Sequence, residues 1–265
     1  MIDVARNPHS IAVLEDVIRL AHLYKLRFLH LHLSDDQLFT FPFKGITDVL
    51  ENNVSYTRAE LEGLVAYAAL RGITIIPEID LPGHSSRLRE SAYLPGAKND
   101  RDVASAEHFD RIGVLLDVVM DVFNSSPYFH IGGDESGAGG SLLSFLGRVQ
   151  NRVRARGKRL IVWEGFHGAP TDVLPVTGPD RVIVAAWESS YNAPWDLLKA
   201  GYPIINASWK PLYVVGSHNI IHPGSSGGRK WSPIEMASCR RAGIRHRATG
   251  RNLRRQIAWP NQLNL

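Results

Sequence analysis

The stretch Gly72-Ile-Thr-Ile-Ile-Pro-Glu-Ile-Asp-Leu-Pro-Gly-His84 decides how the rest of the chain is read. Residues 73–79 form an apolar run of strand length. A glycine suited to closing a helix precedes the run, and Pro82-Gly83 ends it. Upstream, Thr57 and Glu60 have the spacing of a capping box, and Leu61, Leu64, Val65 and Ala68 follow at helical period. The run itself ends in Glu78, Asp80 and His84. A helix thus feeds a buried strand that delivers ionisable groups at its C-terminal end.

The same unit recurs on both sides. Residues 2–5 read as a strand stub, and Asn7 reads as an N-cap with Pro8 at the first helical position. Ile11, Leu14, Val17, Ile18 and Ala21 then share one helical face before a strand at 26–33. Downstream, Phe109, Ile112, Leu116, Val119 and Phe123 mark a helix, and 128–131 a strand. Leu142, Phe145, Val149 and Val153 mark the next helix, ended at Gly157. Strands follow at 160–163, 182–187 and 203–207, with a short helix near 194–200. Seven β runs joined by helices predict a parallel sheet. The expected fold is α/β, a (β/α)8 TIM barrel with about seven βα units recognisable. A doubly wound sheet is the alternative, but no glycine-rich nucleotide turn follows the first strand.

Composition bounds the function. At 265 residues and 29.4 kDa, with 44% hydrophobic and 21% charged residues, the chain suits one large domain and not a disordered one. No window has the roughly 18 uninterrupted apolar residues of a membrane helix, so no membrane partner is expected. Cys239 stands alone, which excludes an intramolecular disulfide framework and a cysteine-rich zinc site. The N-terminal residues show no signal-peptide pattern, and localisation and oligomeric state stay open. The net charge of +4 belongs to residues 236–265, which hold seven arginines and no Asp or Glu. Without them, 23 basic side chains face 26 acidic ones, a net of −3. The body gives no reason to expect a nucleic-acid partner. The tail reads as a stretch outside the fold, with a polyanion-binding arm as the lesser reading.

In parallel barrels the chemistry gathers at the C-terminal ends of strands. Here those ends read His30-Leu-His32-Leu-Ser-Asp35-Asp36-Gln37, then Glu78 to His84, then His130-Ile-Gly132-Gly133-Asp134-Glu135. Trp163-Glu164 and Trp187-Glu188 end the next two, and Trp209 and Tyr213 follow the seventh. Two chemistries suit this rim. His30 and His32 flank one residue, a spacing that can aim two imidazoles from one strand face at a metal, with Asp80, His84 and Asp134 as further ligands. The second is glycoside hydrolysis. It needs a carboxylic acid in a partly desolvated pocket, and Trp163, Trp187, Trp209 and Tyr213 suit the apolar face of a sugar. Asp134 and Glu135 are adjacent, so they are poorly placed to flank a sugar as two-carboxylate mechanisms require. They can instead serve one side of a reaction whose nucleophile belongs to the substrate.

The motifs at 30–37, 77–84 and 130–135, in that order and approximate spacing, closely resemble the β-N-acetylhexosaminidases of glycoside hydrolase family 20. The opening Met1-Ile-Asp-Val-Ala-Arg6 looks like that family's first barrel strand, and Lys230-Trp231-Ser232-Pro233 is a weaker echo. The resemblance implies retaining, substrate-assisted hydrolysis of terminal β-linked N-acetylglucosamine or N-acetylgalactosamine, with such a carbohydrate as partner and no metal or other cofactor. It makes Glu135 the general acid and Asp134 the group that holds the 2-acetamido substituent. His84 and Asp35 become the support of the acid, and Trp163, Trp187, Tyr213, Trp209 and His130 the substrate-binding set. Asp36, Glu78 and Glu164 are open between structural and functional roles.

The departures matter too. The family's sugar-binding arginine precedes its first strand, and this chain starts after that position. Val215 stands two residues beyond Tyr213, where many members have an Asp. The eighth strand, with its pocket tryptophan, cannot be placed within 236–265. The expected organisation is a partial catalytic barrel over 1–235 and a basic tail over 236–265. The alternatives are a remnant that binds N-acetylated sugar without turnover or does not fold, and a metal-dependent barrel hydrolase using His30 and His32. An unclosed barrel exposes two strand edges. Poor solubility or inactivity is therefore expected, and a soluble monomer with a sharp thermal transition by circular dichroism would count against it.

Overall fold

The computed structural model describes residues 1–165, 182–188 and 192–208. Seven strands, β1 (Ile2–Asp3), β2 (Phe28–His32), β3 (Thr74–Glu78), β4 (Tyr128–His130), β5 (Arg159–Trp163), β6 (Ile183–Ala186) and β7 (Ile204–Asn206), lie in one sheet. Every neighbouring pair is parallel and the spatial order follows the chain from β1 to β7. A doubly wound sheet would reverse its order at a switch point. This one does not, and the described strands form an incomplete (β/α)8 barrel.

Helices α1 (Ile11–Leu23), α2 (Arg58–Ala69), α5 (Ala106–Val122), α6 (Ser141–Ala155) and α7 (Pro194–Lys199) make the crossovers, with short α3 (Ser86–Glu90) and α4 (Asp100–Val103) between β3 and α5. The apolar faces read from the sequence are the buried ones, including Leu14, Ile18 and Ala21 in α1 and Phe145, Val149 and Val153 in α6. The capping box at Thr57 and Glu60 is present. The first helix departs from expectation: Ser10 caps it through a bond from the Val13 N–H, and Asn7 and Pro8 lie outside. A Ser hydroxyl three residues from an open N–H satisfies it directly, so Pro8 is not needed at the helix start. The short helices α3 and α4 have too few residues to show a period, so no sequence pattern marks them. Among the described residues no helix is long and apolar enough to cross a membrane. The basic tail at 236–265 falls outside the described residues.

Alternation along the strands separates two environments. Leu29, Leu31, Ile75, Phe129, Leu160, Val162 and Val184 face the helices and join the main core. The intervening residues face inward, and a smaller cluster of Ile76, Ile161, Trp163, Ile183 and Ala185 fills that side. Register places His30 beside Ile76, His32 beside Glu78, Glu78 beside His130 and His130 beside Ile161. The inner face is therefore apolar below and polar toward the strand ends.

Helix ends are handed to strands by tight turns. At Gly157 (φ 70°) the N–H groups of Gly157 and Lys158 return to the carbonyls of Arg154 and Val153. Only a residue free to adopt the left-handed region closes a helix this way without strain. The buried Lys158 ammonium then donates to the carbonyls of Phe123, Asn124 and Ser126 at 3.2, 3.0 and 2.5 Å. It closes the C-terminus of α5 against the start of β5, where a cation is favoured. Lys158→Met is expected to destabilise the fold by about 2 kcal/mol, roughly 4–8 °C in Tm for a domain of this size. Thermal unfolding of the two proteins side by side checks it.

Candidate active site

The polar inner face and the loops above it bring five strand ends together. Glu78, at the end of β3, is fully buried, and four side chains from three other strands close on its carboxylate. His30 Nε2 and His32 Nδ1 from β2 both lie 2.8 Å from Oε2. His130 Nδ1 from β4 lies 3.2 Å from Oε1, and the Trp163 indole N–H from β5 donates to Oε1 at 2.6 Å. His30 stacks on His130 with ring centroids 4.6 Å apart, and Trp163 packs on His130 at 4.7 Å. Burial alone would push Glu78 up, but the three histidines outweigh it and hold the carboxyl well below its usual range. His32 is held well above the ordinary imidazole value because Glu78 and Asp35 overcome its burial. His30 is pushed down to about 4 by burial, against the pull of Glu78.

Above this layer, His32 Nε2 meets Asp35 Oδ2 at 2.9 Å, and Arg6 reaches the same oxygen at 2.5 Å. The other Asp35 oxygen lies 3.5 Å from His84 Nδ1, and Asp36 lies 3.7 Å from the same nitrogen. His84 Nε2 then stands 3.3 Å from Glu135 Oε2. Desolvation would lower His84, but contacts with Asp35, Asp36 and Glu135 raise it far above its ordinary value. His32, His84 and Arg6 likewise hold Asp35 far below the usual range despite its burial. His84 and Glu135 both have φ of 47°, so the two side chains that meet are carried on left-handed backbone. Strain of this kind gathers at functional sites.

Asp134, beside Glu135, is different. Its carboxyl is buried, and Oδ1 has no hydrogen-bond partner among the described residues. Burial pushes its pKa up to about 7, with the charge of Glu78 adding to the effect. Backbone glycines hold it closely. A Cβ at Gly165 would sit 2.7 Å from Asp134 Cβ, and one at Gly83 would sit 2.8 Å from the Asp134 carbonyl oxygen. Asp80 lies alongside, accepting the Gly133 N–H at 3.2 Å, and it too is raised by burial and by Asp134. Glu164 is buried and accepts the N–H groups of Glu188 and Asn192, while the half-buried Trp187 donates to the Glu164 carbonyl at 2.6 Å.

Of the predicted site residues, Asp35, His84, Asp134 and Glu135 come together, and Trp163 and Trp187 stand at adjoining strand ends. His130 is placed differently from expectation. It is buried below the rim against Glu78 and Trp163, because inward alternation on β4 turns it into the barrel and not toward the loop. Trp209 and Tyr213 lie outside the described residues. His30 and His32, the pair named for the alternative metal site, both approach the same carboxylate oxygen of Glu78. His30, Glu78 and His130 each offer a ligand atom within 4.8 Å of the others, as do Asp80, His84 and Asp134. Sequence reading assigned nothing to Arg6 and left Glu78 open. Their only signal was an ionisable residue inside or just after an apolar strand.

Residues 1–144 match the catalytic domain of glycosyl hydrolase family 20. The chain belongs to that family. The match covers all three motifs up to Glu135. A β-N-acetylhexosaminidase of Cellulomonas fimi is 29% identical over 250 residues, covering 84% of this chain and 46% of its own length. The structure of a family 20 β-N-acetylhexosaminidase from Streptomyces coelicolor aligns with a TM-score of 0.63 and 28% identity, over 77% of this chain and 46% of that one. A family 20 exo-β-N-acetylglucosaminidase from Vibrio harveyi, solved with N-acetylglucosamine, aligns with a TM-score of 0.60 and 26% identity, over 77% and 39%. The chain spans between about a quarter and a half of the length of the curated relatives it matches, from 27% to 52%.

The raised pKa of Asp134 has a consequence for stability. A carboxyl raised from its unfolded value of about 3.9 to about 7 binds more protons in the folded state over that interval. Its contribution is fully present below about 4 and is lost as pH rises through 7. Asp134→Asn removes the titration. Its melting temperature relative to the unaltered protein is expected to rise between pH 5 and pH 8, as thermal scans at the two pH values would show.

Proposed function

We propose that this chain is the catalytic part of a β-N-acetylhexosaminidase, removing terminal β-linked N-acetylglucosamine or N-acetylgalactosamine from oligosaccharides or glycoconjugates with retention of configuration. The observation that carries the reading is the contrast between two neighbouring carboxyls. Asp134 is buried with an oxygen left without a partner among the described residues, whereas the Glu135 side chain is 52% exposed and stands 3.3 Å from His84. One suits a group that must grip a substrate N–H out of water. The other suits a group that must reach a leaving oxygen and then a water molecule.

In this mechanism Glu135 gives its proton to the glycosidic oxygen as the anomeric C–O bond breaks, and the substrate's own acetamido carbonyl oxygen forms the new bond to the anomeric carbon. Asp134 accepts the acetamido N–H and faces the positive charge that spreads over the resulting oxazolinium ring, which electrostatically stabilises it. A carboxylate in a desolvated pocket is far more effective here than one in water. Glu135, now ionised, takes a proton from water as it attacks the anomeric carbon and reopens the ring. Two displacements on one carbon leave the β configuration unchanged. Trp163 and Trp187 supply apolar surface for the sugar, and Trp209 and Tyr213 join this set by resemblance.

The test is release of aryl alcohol from an aryl 2-acetamido-β-glucoside, beside the plain β-glucoside and a Glu135→Gln control. From soluble protein folded as described, hydrolysis of the acetamido substrate alone is the outcome this reading requires, with a loss on the order of a hundredfold or more in the variant. Equal turnover of the plain glucoside would contradict participation of the acetamido group. Tight binding of a thiazoline analogue without any turnover would instead indicate a sugar-binding remnant.

A further inference from the structure

The contacts beneath the candidate site form one connected chain, and its origin is not at the rim. We propose that Glu78 is a positioning residue for the reaction, holding Trp163 through its indole N–H and, through His32 and Asp35, the His84 ring that meets Glu135. The proposal rests on the hexosaminidase reading above.

Two arms leave one carboxylate. The first is the 2.6 Å bond from the Trp163 indole, which fixes the ring plane of a wall residue from below. The second runs from Glu78 to His32 at 2.8 Å, from His32 to Asp35 at 2.9 Å, from Asp35 to His84 at 3.5 Å and from His84 to Glu135 at 3.3 Å. Every member is buried or nearly so until Glu135, which emerges into solvent. The charges alternate from Glu78 to His84, so each group in that run holds the next in place, and His84 in turn fixes where Glu135 stands. Coulombic coupling across such contacts is far stronger in a desolvated interior than at a surface. Without the negative charge at Glu78, His32 loses the partner on its Nδ1 side, and the ring that orients Asp35 is held from one side only. His84 would then meet Glu135 in a less defined position. Small misplacements of a reacting group carry large rate penalties.

Leaving-group dependence distinguishes this role from simple support of the fold. A dinitrophenyl aglycone departs with little help from an acid, whereas a methoxyphenyl aglycone needs protonation. Glu78→Gln keeps the shape and removes the charge. It is expected to lose on the order of tenfold or more in kcat/KM on the methoxyphenyl 2-acetamido-β-glucoside and only a few-fold on the dinitrophenyl one. His32→Asn is expected to reproduce the leaving-group bias in kcat, and Trp163→Phe to raise KM equally on both substrates. These single-arm variants carry the test if Glu78→Gln does not fold. Equal losses on both substrates in Glu78→Gln and His32→Asn would overturn the proposal.

A second readout needs no turnover. In isotope-labelled protein, Glu78→Gln is expected to shift both the Trp163 indole N–H resonance and the His84 ring resonances. A His84 signal that does not move overturns the second arm. If the unaltered chain were inactive while both signals still responded, the hexosaminidase reading would fall and the positional assignment would be supported.

Discussion

A carboxylate sealed from water is the constraint on which the rest of this molecule turns. Glu78 is fully buried, and an ionised group in that position costs several kcal/mol unless partners surround it. Its partners come from β2, β4 and β5: His30, His32, His130 and Trp163. They converge only if three successive strand pairs keep their register. Because successive residues face opposite sides of a strand, a slip of one residue would carry the histidines to the helix face and leave Glu78 unpaired. The polar layer therefore selects the register that the apolar layer, with its interchangeable Ile, Leu and Val side chains, specifies less sharply.

Above that layer the backbone bends to serve the side chains. His84 and Glu135 both occupy the left-handed region, each at a cost on the order of 1–2 kcal/mol for a residue with a Cβ. Gly83 and Gly165 allow the backbone and side chain of Asp134 to approach more closely than any other residue would permit. The helix layer supplies the stability that tolerates these features. Buried apolar faces of α1, α2, α5 and α6 pack on the outward strand residues, and the Lys158 ammonium joins the end of α5 to β5. Stability lies mainly on one side of the sheet and polar chemistry on the other.

That division explains how this barrel can carry ionisable groups on separate loops and still hold them to a common geometry. Asp35 and Asp36 follow β2, His84 follows β3, and Asp134 and Glu135 follow β4. None is near another group's loop in sequence, yet His84 touches both sets. The parallel arrangement brings all C-terminal strand ends to one rim, so loops that are distant in the chain become neighbours.

The amino-acid sequence by itself determined the order of elements. Strand and helix signals depend on local periodicity, and all seven predicted strands are present with their ends displaced by a few residues at most. Ionisable residues directly after apolar strands also marked one rim as the place of chemistry, and the resemblance of the three motifs to family 20 singled out Asp35, His84, Asp134 and Glu135 among them. The sequence could not show that His30 and His32 share Glu78, that His130 turns inward, or that Arg6 pairs with Asp35. Those facts depend on register and on which face of a strand a residue occupies relative to its neighbours, and both are properties of the assembled sheet. It likewise could not show that Asp134 Oδ1 is buried with no hydrogen-bond partner among the described residues while Glu135 emerges into solvent, since adjacent residues with the same chemistry differ only in where the folded backbone aims them.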